Sequence, residues 1–210
     1  MTESFGTIEA PDPWFRREIK RGNGIFDRDS YEMCMRRVED FRTAIDCGAH
    51  VGSWAMPMAQ VFDTVYAFEP YPGNFNYLGS NSRHQKNLKI YNIAVGDVEG
   101  TIGISPGTEN SGQWHIDDSG RKVNMIPLDS MFDEISDVDF IKIDVEGYEL
   151  PVLQGAKKLI DRDNPVIMLE MNGLSERYNY TDRDLRDYVV RIGYKQVAAQ
   201  NKDFLFARSG

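Results

Sequence analysis

From residue 43 onward, short apolar runs alternate with longer mixed segments. Residues 43–46, 64–69, 88–95, 139–144 and 165–171 are runs of strand length rich in Val, Ile and Phe, which suits strands buried on both faces. Segments at 53–61, 74–82, 150–160 and 182–192 are long enough for helices and mix polar with apolar residues. Pro57 must fall in or near the first turn of the first segment, and Pro151 is tolerated in the first turn of the third. The last two runs, 194–199 and 203–207, flank Asn201-Lys202 and read as a hairpin. Repeated strand–helix alternation predicts a doubly wound α/β fold, with a mostly parallel sheet covered on both faces and an antiparallel closing hairpin.

Two stretches break this rhythm. Residues 96–127 are rich in Gly, Ser and Asp, with β-like pieces at 101–105, 113–116 and 122–126, and read as a small β insertion over about 98–127. The first 28 residues carry prolines, glycines and the aromatic pair Trp14-Phe15, and read as an extended arm or lid. Residues 30–40 form a plausible helix capped by Asp29 or Ser30. The expected organisation is an arm and helix over 1–42, then one domain over 43–210 that contains the insertion.

The 210 residues suffice for one sizeable core, and 41% hydrophobic with 27% charged residues is ordinary for a globular chain. The net charge of −9 argues against nucleic acid or an anionic membrane as partner, because both need clustered cations. Arg16, Arg17, Lys20 and Arg21 form the best local basic cluster, and a solvated helix face explains them equally well. Cys34 and Cys47 show no metal spacing and read as reduced thiols. The first residues hold acids and prolines without an apolar run, so neither a signal peptide nor a membrane span is expected, and the expected location is cytoplasmic. Self-association into a homo-oligomer is compatible with all of this and is not required by it.

In sheets of this kind ligands bind at the carboxyl ends of the strands, which gives weight to Asp46, Glu69, Gly96-Asp97, Asp144 and Glu170. The string Asp46-Cys47-Gly48-Ala49-His50-Val51-Gly52 places an acid before a glycine turn, in the spacing D-x-G-x-x-x-G. It is not the G-x-G-x-x-G of dinucleotide folds, and a pyrophosphate would be repelled by Asp46. A sulfonium cofactor with an amino-acid tail, S-adenosylmethionine, would find in Asp46 a partner for its ammonium group. Glu69 follows 23 residues later, where a carboxylate can accept both ribose hydroxyls. The structural alternatives are a turn-stabilising acid at Asp46 and a solvated strand end at Glu69.

Several strings resemble one family. Asp46 to Gly52 looks like the first motif of class I S-adenosylmethionine-dependent methyltransferases. Ala67-Phe68-Glu69-Pro70, the string from Asn92 to Asp97, the long string from Ile141 to Ala156 and Pro165 to Glu170 resemble the FkbM-type methyltransferases. The likeness covers about residues 43–172 in the expected order. It implies a Rossmann-like class I sheet of seven strands, with Gly48, Ala49 and Gly52 under the methionyl part, Glu69 on the ribose, and Val95 and Asp97 near the adenine.

Methyl transfer to a hydroxyl needs an aligned acceptor and a group that removes its proton. Asp144, Glu146, Lys142 and His115 are the candidates, and Asp144 also borders the cofactor. Lys142 and Asp144 lie on one face of their strand and could equally neutralise each other. Asp144, Glu170 and Asn172 form an alternative oxygen set for a hard divalent cation such as Mg²⁺. His50 lies in the glycine loop and could touch a ligand, whereas His84 sits in a polar run and reads as solvated. The leading expectation is O-methylation of a hydroxyl on a sugar, glycan or small metabolite. The alternatives are an N-methyltransferase, a protein or nucleic-acid methyltransferase, and a catalytically silent cofactor-binding scaffold. A nicotinamide oxidoreductase is disfavoured by the missing G-x-G.

Overall fold

A computed structural model describes residues 8–107 and 110–208. The arm is not extended. Pro13–Arg21 forms helix α1, with Pro13 in its first turn and Asp12 as its cap, the Asp12 carboxylate accepting from Phe15 N at 2.7 Å. Phe15 and Ile19, one turn apart, bury against Ile8, Ala10 and Val51. That spacing is present in the sequence but is masked there by charges and prolines. Helix α2 spans Arg28–Met35, shorter than expected, and starts at Asp27 in a left-handed conformation (φ 44°).

The strands then follow. They are β1 (Thr43–Cys47), β2 (Thr64–Phe68), β3 (Leu88–Tyr91), β4 (Ala94–Val95), β5 (Gly100–Ser105), β6 (His115–Ile116), β7 (Arg121–Ile126), β8 (Val138–Ile143), β9 (Val166–Glu170), β10 (Tyr194–Gln200) and β11 (Asp203–Arg208). The helices between them are α3 (Ala55–Met58), α4 (Pro72–Ser82), α5 (Glu149–Gly155), α6 (Lys157–Asp163) and α7 (Asp182–Arg191). The main sheet has seven strands in the order β10-β11-β9-β8-β1-β2-β3. β9-β8-β1-β2-β3 are parallel, and the β10–β11 hairpin closes the edge antiparallel to β9. This is the doubly wound class I methyltransferase sheet that the sequence implies.

The boundaries differ where side chains recruit the backbone. The run 88–95 does not stay one strand, because Asn92 Nδ2 donates to the carbonyls of Glu69 and Pro70 at 2.8 and 3.0 Å and turns the chain out. Ala94-Val95 instead joins the insertion, a sheet in the order β4-β7-β5-β6. The helix expected over 53–61 contracts to four residues around Pro57, which lacks the N–H that a longer helix would use. The segment 150–160 becomes two helices, with Ala156 in a non-helical conformation (ψ 8°) between them.

Alternation along the central strands divides the core. Ile45 and Cys47, Tyr66 and Phe68, Ile141 and Ile143, Ile167 and Leu169 face α5, α6 and α7. Ala44, Val65, Ala67, Phe140 and Met168 face α2, α3 and α4. Asp46 belongs to this second face, and the register pairs it with Lys142 on β8. Both cysteines are free and buried, and no described helix is long and apolar enough to cross a membrane.

Candidate active site at the carboxyl edge of the sheet

The strand ends open into a cavity of about 420 Å³. Its wall includes Asp46, Gly48, Ala49, Glu69, Val95, His115, Lys142, Asp144, Glu146, Glu170 and Asn172, so most of the residues singled out in the sequence converge here. Gly52 and Asp97 do not line it. Gly52 shapes the loop from below with φ 92°, and Asp97 is exposed on the chain after β4.

The glycine turn is held from beneath. Gly48 adopts φ 81°, and a Cβ there would fall 1.9 Å from the Asp144 carbonyl oxygen, so only glycine lets β1 and β8 end this close together. The Lys142 ammonium, 4% exposed, lies 3.1 Å from Asp46 Oδ1 and 3.4 Å from Asp144 Oδ2 and donates to the Gly48 carbonyl at 3.2 Å. Burial pulls its pKa down, but the two carboxylates outweigh burial and hold it well above the ordinary lysine range. Lys142 therefore stays an ammonium with no lone pair to receive a proton. Asp46 is fully buried, and its pKa is raised by burial against the pull of Lys142. Neither of its oxygens has a well-formed hydrogen bond.

At the end of β2 Glu69 is also buried. Its Oε2 accepts from His50 N and its Oε1 from Tyr71 N, both at 2.9 Å. Burial pushes its pKa up to about 7 against these amides. The Asn74 side chain hydrogen-bonds the same carboxylate, so three donors already hold it in the ligand-free protein. His50 sits in a left-handed conformation (φ 52°) and is neutral, because burial lowers its pKa to about 4. Its Nε2 lies 2.8 Å from Ser111 Oγ, which in turn donates to Asp12. Asn74 Nδ2 donates to the Ser111 carbonyl at 2.9 Å. Ser111 thus joins the arm, the glycine loop, α4 and the insertion at one point. His115 on β6 lines the cavity with Nδ1 3.3 Å from the Gln113 carbonyl.

The opposite wall is acidic. Asp144, Glu146 and Glu170 each offer an oxygen, all within 4.8 Å of one another. Burial, then Asp144 and Glu149, push the Glu146 carboxyl up to about 8. Burial, then Asp144 and Glu146, push Glu170 up to about 10. Asn172, the third member of the oxygen set expected from the sequence, lies beside this group, its Nδ2 donating to Glu170 Oε2 at 2.7 Å and its Oδ1 accepting from Leu174 N at 3.0 Å; among the acids Glu146 joins Asp144 and Glu170.

Sequence reasoning missed Ser111, Asn74 and Glu149. Glu149 Oε1 accepts from Val145 N at 3.2 Å and Gly147 N at 3.0 Å and fixes the turn that presents Glu146. An acid at a helix start just after a glycine was the available signal for it. Trp14 and Phe15, read in the sequence as part of an arm or lid, line the cavity, and Phe26 and Trp54, which the sequence did not single out, join them.

The raised acids set a pH trend. Glu69, Glu146, Glu149 and Asp203, with folded pKa values of about 7, 8, 7 and 7, bind more protons folded than unfolded. Their contribution to stability is present below their unfolded pKa values and is lost as pH rises towards the folded ones. His50, with its lowered value of about 4, acts the other way only below its unfolded value of 6.5. The ligand-free melting temperature should therefore fall between pH 5 and 8, by about 5 °C or more, in a scanning calorimetry series. Constant or rising values across that range would show that these carboxyls are ionised in the folded protein.

Comparison with known proteins supports the same reading of the fold. Residues 46–196 match the family described as the methyltransferase FkbM domain. The hexuronic acid methyltransferase AglP of Haloferax volcanii is 25% identical over 167 residues, covering 77% of this chain and 68% of that protein. The crystal structure of the FkbM methyltransferase of Methylobacillus flagellatus superposes with a TM-score of 0.53 at 18% identity, over 97% of this chain, which spans 57% of the length of that one. Magnesium protoporphyrin IX methyltransferase of Synechocystis, solved with bound S-adenosylmethionine, superposes with a TM-score of 0.55 at 11% identity, over 96% of this chain and 86% of that one. At these identities the superpositions speak for the fold, and the match across residues 46–196 decides the family. That match runs from the acid of the glycine turn to the closing hairpin, and the chain belongs to the FkbM family of S-adenosylmethionine-dependent methyltransferases.

Proposed function

We propose that this chain methylates a hydroxyl of a saccharide or a comparable small acceptor. The observation that carries the proposal is the pairing, in one cavity, of a buried carboxylate at the β2 end with an acidic wall at the β8 and β9 ends. The donor set fits a cationic cofactor. Asp46, Glu69, Asp144, Glu146 and Glu170 line the cavity, and of these Asp46 is already paired with the buried Lys142. The 25% identical relative named for hexuronic acid supports a sugar acceptor.

S-adenosylmethionine supplies a methyl group on a sulfonium, whose departure as a neutral thioether needs no acid. Glu69 would take the ribose hydroxyls, with Asn74 ceding its place on the carboxylate. Gly48 and Ala49 would hold the methionyl part with backbone, and Val95 would pack beside the base. Lys142 and Asp46 act beneath the turn and keep its carbonyls in place. Proton removal falls to Glu146, whose carboxyl is pushed up to about 8, so that its ionised form, which grows as pH rises through 8, is a stronger base than an ordinary carboxylate. Its left-handed backbone (φ 57°) is held by the Glu149 contacts. Asp144 orients the acceptor, and His115 is the alternative base from the insertion side.

Incubation with S-adenosylmethionine and a panel of hexoses, uronic acids and amino sugars, read by mass spectrometry, tests this. A gain of 14 Da on a hydroxyl-only acceptor, reduced about 100-fold or more in Glu146→Gln, is expected. Methylation confined to amines, or an unaffected variant, would overturn the assignment of acceptor or of base.

A divalent cation is a second reading, favoured by the three convergent oxygens of Asp144, Glu146 and Glu170. If it holds, EDTA abolishes turnover and Mg²⁺ restores it; EDTA-insensitive turnover rejects it.

A further inference from the structure

Helix α1 carries four cations and one acid in nine residues, in a chain whose acids outnumber its cations by 33 to 24. It is docked against the cavity. The Asp12 cap accepts from the Ser111 hydroxyl, and the Phe15 ring meets His50 of the glycine loop edge-on at 4.3 Å. Phe15 and Ile19 turn one face of the helix inward. At about 100° per residue, Trp14, Arg17 and Arg21 fall within about 60° of one another on the outer face, with Arg17 about 4.5 Å and Arg21 about 10.5 Å beyond Trp14 along the axis. Trp14 lines the cavity yet is 41% exposed, so it stands at the rim. Phe26 braces its ring edge-to-face at 6.0 Å. Arg17 is exposed and has no ion-pair partner among the described residues. Arg21 meets Glu18, the one acid of the helix, at 3.7 Å with 83% of its side chain exposed, and such a pair contributes little. The helix dipole accounts for a cation in the last turn, such as Arg21. It does not account for Arg17 in the middle of the helix or for Trp14 at the rim. An aromatic residue of the cavity wall thus continues into two cations that lie outside that wall.

We propose that this face of α1 binds the stretch of an acidic oligosaccharide acceptor that extends beyond the cavity, with a sugar ring on Trp14 and carboxylates of the following sugars on Arg17 and Arg21. The proposal rests on the saccharide-methylation reading and deepens it: the cavity holds the sugar that is methylated, and α1 selects the chain to which that sugar is attached. The guanidinium fork matches a carboxylate in two parallel hydrogen bonds, and the indole face suits the C–H face of a sugar ring. A bilayer fits this surface less well. The apolar side that a helix lying on a membrane would insert is already buried against the protein's own core, and only Trp14 remains outside. A nucleic acid would need more phosphate contacts than one short stripe offers.

The test titrates full-length protein saturated with S-adenosylhomocysteine, by calorimetry, with hexagalacturonate, galacturonate and maltohexaose. Hexagalacturonate is expected to bind about tenfold or more tighter than either of the others at low salt, and the advantage should shrink as salt rises. R17Q/R21Q should remove the advantage with melting temperature and S-adenosylhomocysteine affinity unchanged. R37E, which makes the same change in net charge just after α2 and outside the cavity wall, should keep it. W14L should weaken both hexasaccharides alike, since it removes an apolar face and no charge. Equal binding of hexagalacturonate and galacturonate, or an advantage that survives R17Q/R21Q, overturns the surface and leaves the saccharide reading standing. Binding of none of the three saccharides counts against both. W14L that binds the hexasaccharides as the wild type does takes Trp14 out of the surface. Phosphatidylglycerol vesicles or oligouridylate bound more tightly than hexagalacturonate, and lost in R17Q/R21Q, would replace the saccharide as occupant by a membrane or an RNA.

Discussion

Replacing Lys142 by methionine is expected to destabilise the protein by about 3–5 kcal/mol, the largest effect of any single substitution in the site. Lys142 is 4% exposed and sits between Asp46, Asp144 and the Gly48 carbonyl. Methionine keeps the volume and removes the charge. Asp46, fully buried and without a good hydrogen bond, would then be an uncompensated anion between β1 and β8. Folded domains are stable by only about 5–15 kcal/mol, so the melting temperature should fall by roughly 6–20 °C. The double variant Lys142→Met with Asp46→Asn should recover much of the loss, since no charge is left unpaired. A double variant no more stable than Lys142→Met alone would show that Lys142 acts through the Gly48 carbonyl rather than through Asp46.

The second large effect concerns binding. Glu69→Gln should weaken S-adenosylhomocysteine by roughly 30–100-fold, the equivalent of about 2–3 kcal/mol in charge-assisted hydrogen bonds to two hydroxyls. The variant also turns one amide N–H, of His50 or Tyr71, towards an amide NH₂. That should cost about 1–3 kcal/mol of stability, so affinity must be compared below the variant's melting transition. The pH profile separates the two effects. Glu69 titrates at about 7 in the ligand-free protein, and the ionised form is the better acceptor. Wild-type affinity should therefore rise as pH passes from 6 to 8 and that rise should vanish in Glu69→Gln. A wild-type affinity independent of pH, with a normal value in the variant, would remove Glu69 from the binding site.

The parts of the fold that sequence made legible are those in which burial is symmetrical. β1, β2, β8 and β9 are largely buried on both faces, so their mostly apolar runs announced them and their carboxyl ends followed. Asp46, Glu69, Asp144 and Glu170 could be placed by that argument alone. What stayed hidden depends on distant partners. The alternation of Lys142 and Asp144 was visible, but the register that sets Lys142 beside Asp46 belongs to the pairing of two strands far apart in the chain. The split of 88–95 required knowing that Asn92 would find two carbonyls. That Asn172 binds Glu170 and Leu174 N, and that Glu146 swings in beside Asp144 and Glu170, depends on a loop path that the strand pattern does not carry. Helix α1 was obscured because its two buried residues stand among charges and beside prolines, where local propensity says little about packing.

Ser111 and Asp12 meet across 99 positions of sequence, and one comes from the insertion while the other caps α1. The family match begins at residue 46, after the whole of that helix. Yet Trp14, Phe15 and Phe26 wall the cavity as surely as the strand ends do. A chain begun at residue 43 would keep every strand and the acids of the strand ends, while its cavity lost Trp14, Phe15 and Phe26 from one side. The chemistry of this chain is thus housed partly in residues that carry no motif, and its working boundary lies upstream of its recognisable one.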